Sequence, residues 1–223
     1  ASQADAQAQA NKAIAAKAAA LSDAAIANAR ATDAQAALDA ASAALASSTL
    51  AASDVLEAAD SVKKATSAKV TAQAEANKAQ IAFSSASGAK SVDPEIFQTV
   101  YQANVKAQSA LQLAEDALVD AQAALATTTA ASSSAAVESA KAIAAINSAG
   151  ITADTVTIAQ NAATTANTFA GIATVAANLA VAAADEAIAL NFLEDGETEI
   201  DFSSIDISVV NNKVTSATNN ATN

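Results

Sequence analysis

No glycine occurs before Gly88, no proline before Pro94, and 70 of the chain's 72 alanines fall within residues 1–189. Alanine has the best intrinsic helix propensity, and the Gln, Glu, Lys and Leu scattered among it support the same state. With both common breakers absent, residues 4–87 read as one helix, ~126 Å long at 1.5 Å per residue. Its weak point is Ala46-Ser47-Ser48-Thr49-Leu50-Ala51-Ala52-Ser53-Asp54, where Ser or Asp can cap a new helix. A break near 47–53 would leave two helices of roughly 40 residues each.

The strongest stop-and-start signal is Ser87-Gly88-Ala89-Lys90-Ser91-Val92-Asp93-Pro94-Glu95. Gly88 suits a helix C-terminus, Asp93 an N-cap and Pro94 the first helical turn, so the chain is expected to turn over 88–93. A helix is predicted from Pro94 to about Ile146, with a second candidate break at 127–134, where Thr127-Thr128-Thr129 and Ser132-Ser133-Ser134 crowd together. A third break is expected at 148–153, closed by Gly150, with Thr152 or Asp154 starting a last helix that ends near Phe192. Composition then shifts: residues 190–223 hold two alanines, and six acids lie between Glu194 and Asp206. The expected organisation is a long-helix bundle over 1–192 and an acidic, strand-like tail with a polar end over 193–223. The fold class is all-α, an elongated Ala-rich antiparallel helical hairpin or bundle with Ala-coil packing.

Large side chains suggest how the helices meet. Leu111, Leu118 and Leu125 recur every seven residues, with Ala114 and Ala121 on the same seam. Leu38 and Leu45 repeat the step, as do Ile158, Thr165, Ile172 and Leu179. A seven-residue seam winds helices about one another, and alternating Leu with Ala lets backbones come close. Eleven-residue jumps, Leu45 to Leu56 and Val70 to Ile81, interrupt the heptad and imply a straighter bundle. Ala and small polar residues surround the helices, so more than one face should be covered, by other segments of the chain or by further copies of it.

The formal net charge is −12, and after Lys141 one lysine stands against nine acids. Phosphate binding needs clustered Lys and Arg, so nucleic acid is not an expected partner. Residues 155–184 carry no charge and are long enough to span a membrane. Gln160, Asn161, Asn167, Asn178 and six threonines argue instead for a central helix shielded by its neighbours. Ala170-Gly171-Ile172-Ala173-Thr174 has the small-residue pattern of close helix approach. The opening Ala1-Ser2-Gln3-Ala4-Asp5 reads as a mature N-terminus left by signal removal, though a trimmed chain would read the same. Secretion or a cell-surface location is therefore expected.

In the tail, Ile200 and Phe202, then Ile205, Ile207 and Val209, alternate with polar residues in the period of a strand. A lone strand is unstable, so it must pair with itself or with another chain. Asp195, Glu197, Glu199 and Asp201, beside Gly196, are candidate calcium ligands, because hard cations take several oxygens around a turn. Their spacing does not match an EF-hand loop. Asn220-Ala221-Thr222 is a glycosylation sequon.

Reactive chemistry is scarce. The chain has no Cys, His, Met or Trp, which removes thiolate nucleophiles, disulfides and the usual zinc, copper and haem ligands. The adjacent carboxylates Glu115/Asp116, Asp185/Glu186 and Glu194/Asp195 read as solvated pairs. Ser61-Val62-Lys63-Lys64 has the Ser-x-x-Lys spacing of acylating hydrolases without their companion motifs. No cofactor is called for. The expectation is a non-enzymatic structural or assembly protein: a filament, sheath or fibre subunit that forms homo-oligomers through Ala-rich helix faces and a C-terminal strand. The interaction residues would be Leu111, Leu118, Leu125, Ile158, Ile172, Leu179, Ile200, Phe202, Ile205, Ile207 and Val209. Over residues 1–189 the composition also resembles the Ala-rich helical antifreeze proteins, which implies ice binding through Thr and Ala. Of their eleven-residue Thr interval only pairs such as Thr157/Thr168 survive. A third alternative is a phasin-like amphipathic coat on lipid or granules, for which Lys63, Lys64, Lys69 and Lys78 supply a little basic charge.

Overall fold

The computed structural model describes residues 3–86, 94–148 and 150–189. These form three helices packed together: α1 (Gln3–Ala86), α2 (Pro94–Ile146) and α3 (Ala153–Ala189). The turn expected at 88–93 and the strand-like tail expected over 193–223 lie outside the described residues.

Two expected breaks do not occur. α1 is continuous for 84 residues and passes through 47–53 without interruption. α2 likewise passes through 127–134. The reason is where the hydroxyls go. Ser47 donates to the Ala43 carbonyl at 3.0 Å. Thr127, Thr128, Thr129, Ser133 and Ser134 donate to the carbonyls of Ala123, Ala124, Leu125, Thr129 and Ala130. A hydroxyl satisfied by the carbonyl four residues back does not compete with the helix for backbone N–H groups. The break near 148–153 is present. Asn147 N donates to Ile143 O at 3.1 Å, and the Ser148 hydroxyl donates to Ala145 O at 2.8 Å, closing α2. Thr152 then caps α3. Its N–H donates to Thr155 Oγ1 at 2.8 Å, Thr155 N–H returns to Thr152 Oγ1 at 3.4 Å, and Val156 N–H reaches Thr152 O at 3.0 Å. This is the reciprocal arrangement of a capping box, with Thr155 in the place usually held by Glu. Asp154 adds favourable charge in the first turn.

The described residues group into two compact units, one within 1–48 and 135–167, the other within 49–134 and 168–189. In the first, Ala37 and Ala40 meet Ala145, Val156 and Ala159, while Ala41 and Ala44 meet Ala142, Ala162 and Ala166. Numbers rise along α1 and α3 as they fall along α2, so α2 runs opposite to the other two. The second unit repeats this order. Ala58 packs with Ala124, Ala177 and Ala180. Ala65 and Ala68 pack with Ala117, Ala121, Ala183, Ala184 and Ala187. Ala72 packs with Ala114, flanked by Leu111 and Leu113.

Among the described residues, every buried apolar side chain is an alanine except Val156. In the second unit the buried alanines keep a seven-residue step: Ala51, Ala58, Ala65 and Ala72 on α1, Ala110, Ala117, Ala124 and Ala131 on α2, and Ala173, Ala180 and Ala187 on α3. The heptad is thus real, and Ala114 and Ala121 lie on its seam as expected, but the large residues assigned to it stand one position away from buried alanines. Those alanines come just before Leu111, Leu118 and Leu125, and just after Ile172 and Leu179. Each buried methyl contributes about 0.8 kcal/mol, so stabilisation is spread over many small contacts.

Candidate interaction surface

Alanine fills the seam, and the larger apolar residues are displaced from it. Leu111, Leu118, Leu125, Ile172 and Leu179 are half-buried at its edge. Leu118 leans on the layer around Ala65 and Ala121, while Leu125 and Leu179 lean on that around Ala58 and Ala124. Ile158 points to solvent, as do Leu38, Leu45, Leu50, Leu56, Val70 and Ile81 on α1, Tyr101, Val105, Val119 and Val137 on α2, and Val175 on α3. Eleven residues make about three helical turns, so Leu45 with Leu56, and Val70 with Ile81, align along the outer side of α1. From Gln9 to Thr32 every residue of α1 is exposed, including Ile14 at 67% and Leu21 at 62%. The tail positions Ile200, Phe202, Ile205, Ile207 and Val209, the candidate ligands Asp195, Glu197, Glu199 and Asp201, and Asn220 lie outside the described residues.

Gly171 departs from its expected role. It is exposed, and a Cβ added there would meet nothing within 4 Å. Close approach on α3 is made by the neighbouring Ala170 and Ala173, both buried. By length and composition α3 is apolar enough to cross a membrane. Its buried residues form the seam, whereas Gln160, Asn161, Asn167 and Asn178 are exposed.

Polar groups inside the bundle are few, and two of them, Asp54 and Asn104, bond across helices. Asp54 is buried in the α1 seam and accepts a 2.8 Å hydrogen bond from Thr174 Oγ1 on α3. Thr128 is fully buried on α2. Near the far end of the α1–α2 pair, Asn104 Nδ2 donates to Gln80 Oε1 at 3.1 Å, and its own Oδ1 is buried without a partner. Gln108 Nε2 reaches Ala76 O at 3.4 Å. Phe83 lies 5.7 Å from Phe97 and 5.8 Å from Tyr101, centroid to centroid. With methyl groups nearly alike at every layer, a helix could slide by a heptad at little cost. Specific polar pairs oppose that by leaving a buried group unmatched in the wrong register. Sequence reasoning missed Asp54, because an acid beside Ser53 reads as a cap. Its signal was its place three residues after Ala51 and four before Ala58, inside the heptad.

Four lysines of the bundle form ion pairs at its surface. Lys64 meets Asp60 at 3.0 Å, and that hydrogen bond raises its pKa. Lys69 on α1 meets Glu115 on α2 at 3.2 Å. Lys78 pairs with Glu75, and Lys141 with Glu138. Asp116 accepts from Gln112 Nε2 at 3.0 Å. Burial pushes the Asp120 carboxyl up, and Asp116 adds to the effect. Glu186 is raised by burial and then by Asp120, so two half-buried carboxylates of like charge face each other from α2 and α3. Ser61 is buried and donates to Glu57 O at 3.0 Å, with its neighbour Lys64 held outside by Asp60. Among the described residues, no three Asp or Glu side chains gather as a metal-binding group. Comparison with protein-family models, with curated proteins and with solved structures gives no match for this chain.

Proposed function

We propose that this protein is a non-enzymatic structural subunit that self-associates into a secreted or cell-surface filament, sheath or fibre. The observation that carries the reading is the inverted distribution of apolar side chains. Methyl groups fill the interior, while Leu, Ile and Val point outward from all three helices. Exposed large apolar residues scattered singly are ordinary, but aligned rows on long helices mark surfaces that other molecules cover. The stretch of α1 from Gln9 to Thr32, with Ile14, Leu21 and Ile26 exposed, is the most open of these surfaces. On this reading the chain is an Ala-coil hairpin whose closely spaced helices act as a stiff element. Copies pack along the outer rows, and a contact that does not close on itself propagates into a fibre. The test is negative-stain electron microscopy with light scattering over a concentration series. Assembly that grows with concentration is expected. A monodisperse monomer at high concentration contradicts the proposal.

A second reading, ice binding, draws on one observation: Thr157, Thr164 and Thr168 are all exposed on α3, and the outer two are eleven residues apart. Thermal hysteresis and ice-crystal shaping decide it.

A further inference from the structure

α1 runs beyond the layers that hold it. In the first unit its fully buried residues begin at Ala37, and from Gln9 to Thr32 every residue is exposed. The seven-residue step of its seam continues into that stretch. Ala44 and Ala37 lead back to Arg30, Asp23, Ala16 and Gln9, and Ala40 leads back to Asp33, Ile26, Ala19 and Lys12. Ala41 leads back to Ala34, Ala27, Ala20 and Ala13, so one flank of this face consists of methyl groups. The exposed stretch therefore carries on the narrow seam that receives α2 and α3 further along α1, with single charges set into it. Among the described residues, Lys12, Asp23 and Arg30 form no ion pair.

We infer that this stretch pairs antiparallel with the same stretch of a second copy of the chain, Ala16 lying against the partner's Ala19. The pairing rests on copies of the chain associating, as proposed above, and it covers the most open surface of α1. Charge selects both direction and register. A parallel, in-register pair would set Lys12 against Lys12, Asp23 against Asp23 and Arg30 against Arg30, all of like sign. In an antiparallel pair the two rows of the seam face each other across the copies. With Ala16 on the partner's Ala19, Lys12 meets the partner's Asp23, and two-fold symmetry makes that ion pair twice. Gln9 then meets the partner's Ile26. A shift of one heptad in one sense brings Arg30 against the partner's Lys12, and in the other sense it leaves Lys12 against the partner's Ala16. The lysine stem lies across alanines while its ammonium stays at the edge. From residue 9 to residue 26 the shared seam is ~26 Å long. The same patch serves on both copies, so this contact closes on itself and joins two chains. Growth beyond the pair belongs to the outer rows of large apolar residues.

The chain contains no cysteine, so Gln9→Cys and Ile26→Cys each place a single thiol at an exposed position. The two full-length variants are mixed and oxidised with copper–phenanthroline. A disulfide needs Cα atoms within about 7 Å, so a covalent dimer holding one chain of each kind is expected. Either variant alone should stay uncrosslinked, because the pairing holds its two thiols ~26 Å apart. Gln9→Cys mixed with Ala19→Cys, one heptad out of register, should also stay apart. In sedimentation equilibrium Lys12→Glu should weaken the pair roughly tenfold, about 1.4 kcal/mol over two ion pairs, and adding Asp23→Lys should restore it. Self-crosslinking of the single variants, absence of the mixed dimer, or a pair indifferent to Lys12→Glu would overturn the inference. Assemblies that grow with concentration without the mixed crosslink would refute this pairing and leave the fibre reading standing. A crosslinked pair that grows no further would uphold the pairing and remove the fibre reading.

Discussion

Replacing Ala65 by leucine is the most informative single change to the bundle. Ala65 is fully buried and shares a layer with Ala68, Ala117, Ala121, Ala183, Ala184 and Ala187. Leucine adds three carbons where all three helices meet through methyl groups. It must either force the backbones apart or take a strained rotamer, at about 1–3 kcal/mol. For a chain of this size about 1 kcal/mol moves Tm by ~2–4 °C, so Ala65→Leu should melt ~2–12 °C lower. The companion change is Leu56→Ala, nine residues earlier on the same helix and 73% exposed. About a quarter of a leucine's ~1.5–3 kcal/mol of burial is lost, roughly 0.4–0.8 kcal/mol, and alanine's better helix propensity returns part of it. Its Tm should stay within ~2 °C of the wild type. The assay is far-UV circular dichroism during heating, at one protein concentration because association itself raises Tm. Were leucines the seam, the order would reverse: Leu56→Ala would cost ~2–5 kcal/mol, and the Ala65 site would accept leucine. That result would refute the reasoning.

Other predictions follow from single contacts. Gly171→Ala should stabilise α3 by up to about 1 kcal/mol in urea unfolding, because the added methyl meets nothing and a helical glycine is unfavourable. Asp54→Ala and Thr174→Val should each destabilise by about 1–3 kcal/mol, and a double-mutant cycle should show coupling, because each removes the partner of a group inside the bundle. Asp120 and Glu186 have folded pKa values above their ordinary 3.8 and 4.5, so the folded chain binds protons more readily than the unfolded one just above those values. Stability should therefore rise as pH falls from neutral through that window. Glu186→Gln should raise Tm at neutral pH and flatten the dependence, as followed by thermal melts across pH. A wild-type melt whose Tm falls steadily on acidification would contradict the sign.

Much of the helical framework was legible because its causes are local. Alanine content with no Gly or Pro gives the long run of α1, Pro94 opens α2, and the Thr152 region opens α3. The candidate breaks at 47–53 and 127–134 were ambiguous for a physical reason. A serine or threonine hydroxyl can cap a helix or bond back to the carbonyl four residues earlier, and only the surroundings choose. The register of the seam was hidden by the habit of following bulk. Leu118 carries more apolar surface than Ala117, so hydropathy points to it, yet a narrow space between three helices admits a methyl group and pushes the larger side chain to its edge. Gly171 was misread in the same way, since small size permits close approach without requiring it. The buried pair Asp54 and Thr174 lies 120 residues apart in sequence, and no local pattern links them.

The separation of an alanine interior from an exterior that we propose to be adhesive is tested most directly by Leu50→Gln, Leu56→Gln and Val70→Gln combined on the outer side of α1. All three positions are exposed. Circular dichroism melts and sedimentation velocity should be run on the same samples. Helicity and Tm should match the wild type under conditions where both are monomeric, while concentration-dependent assembly is lost. Loss of the helical fold on making these three changes, with or without assembly, would mean that the large residues hold the bundle together and that alanine does not.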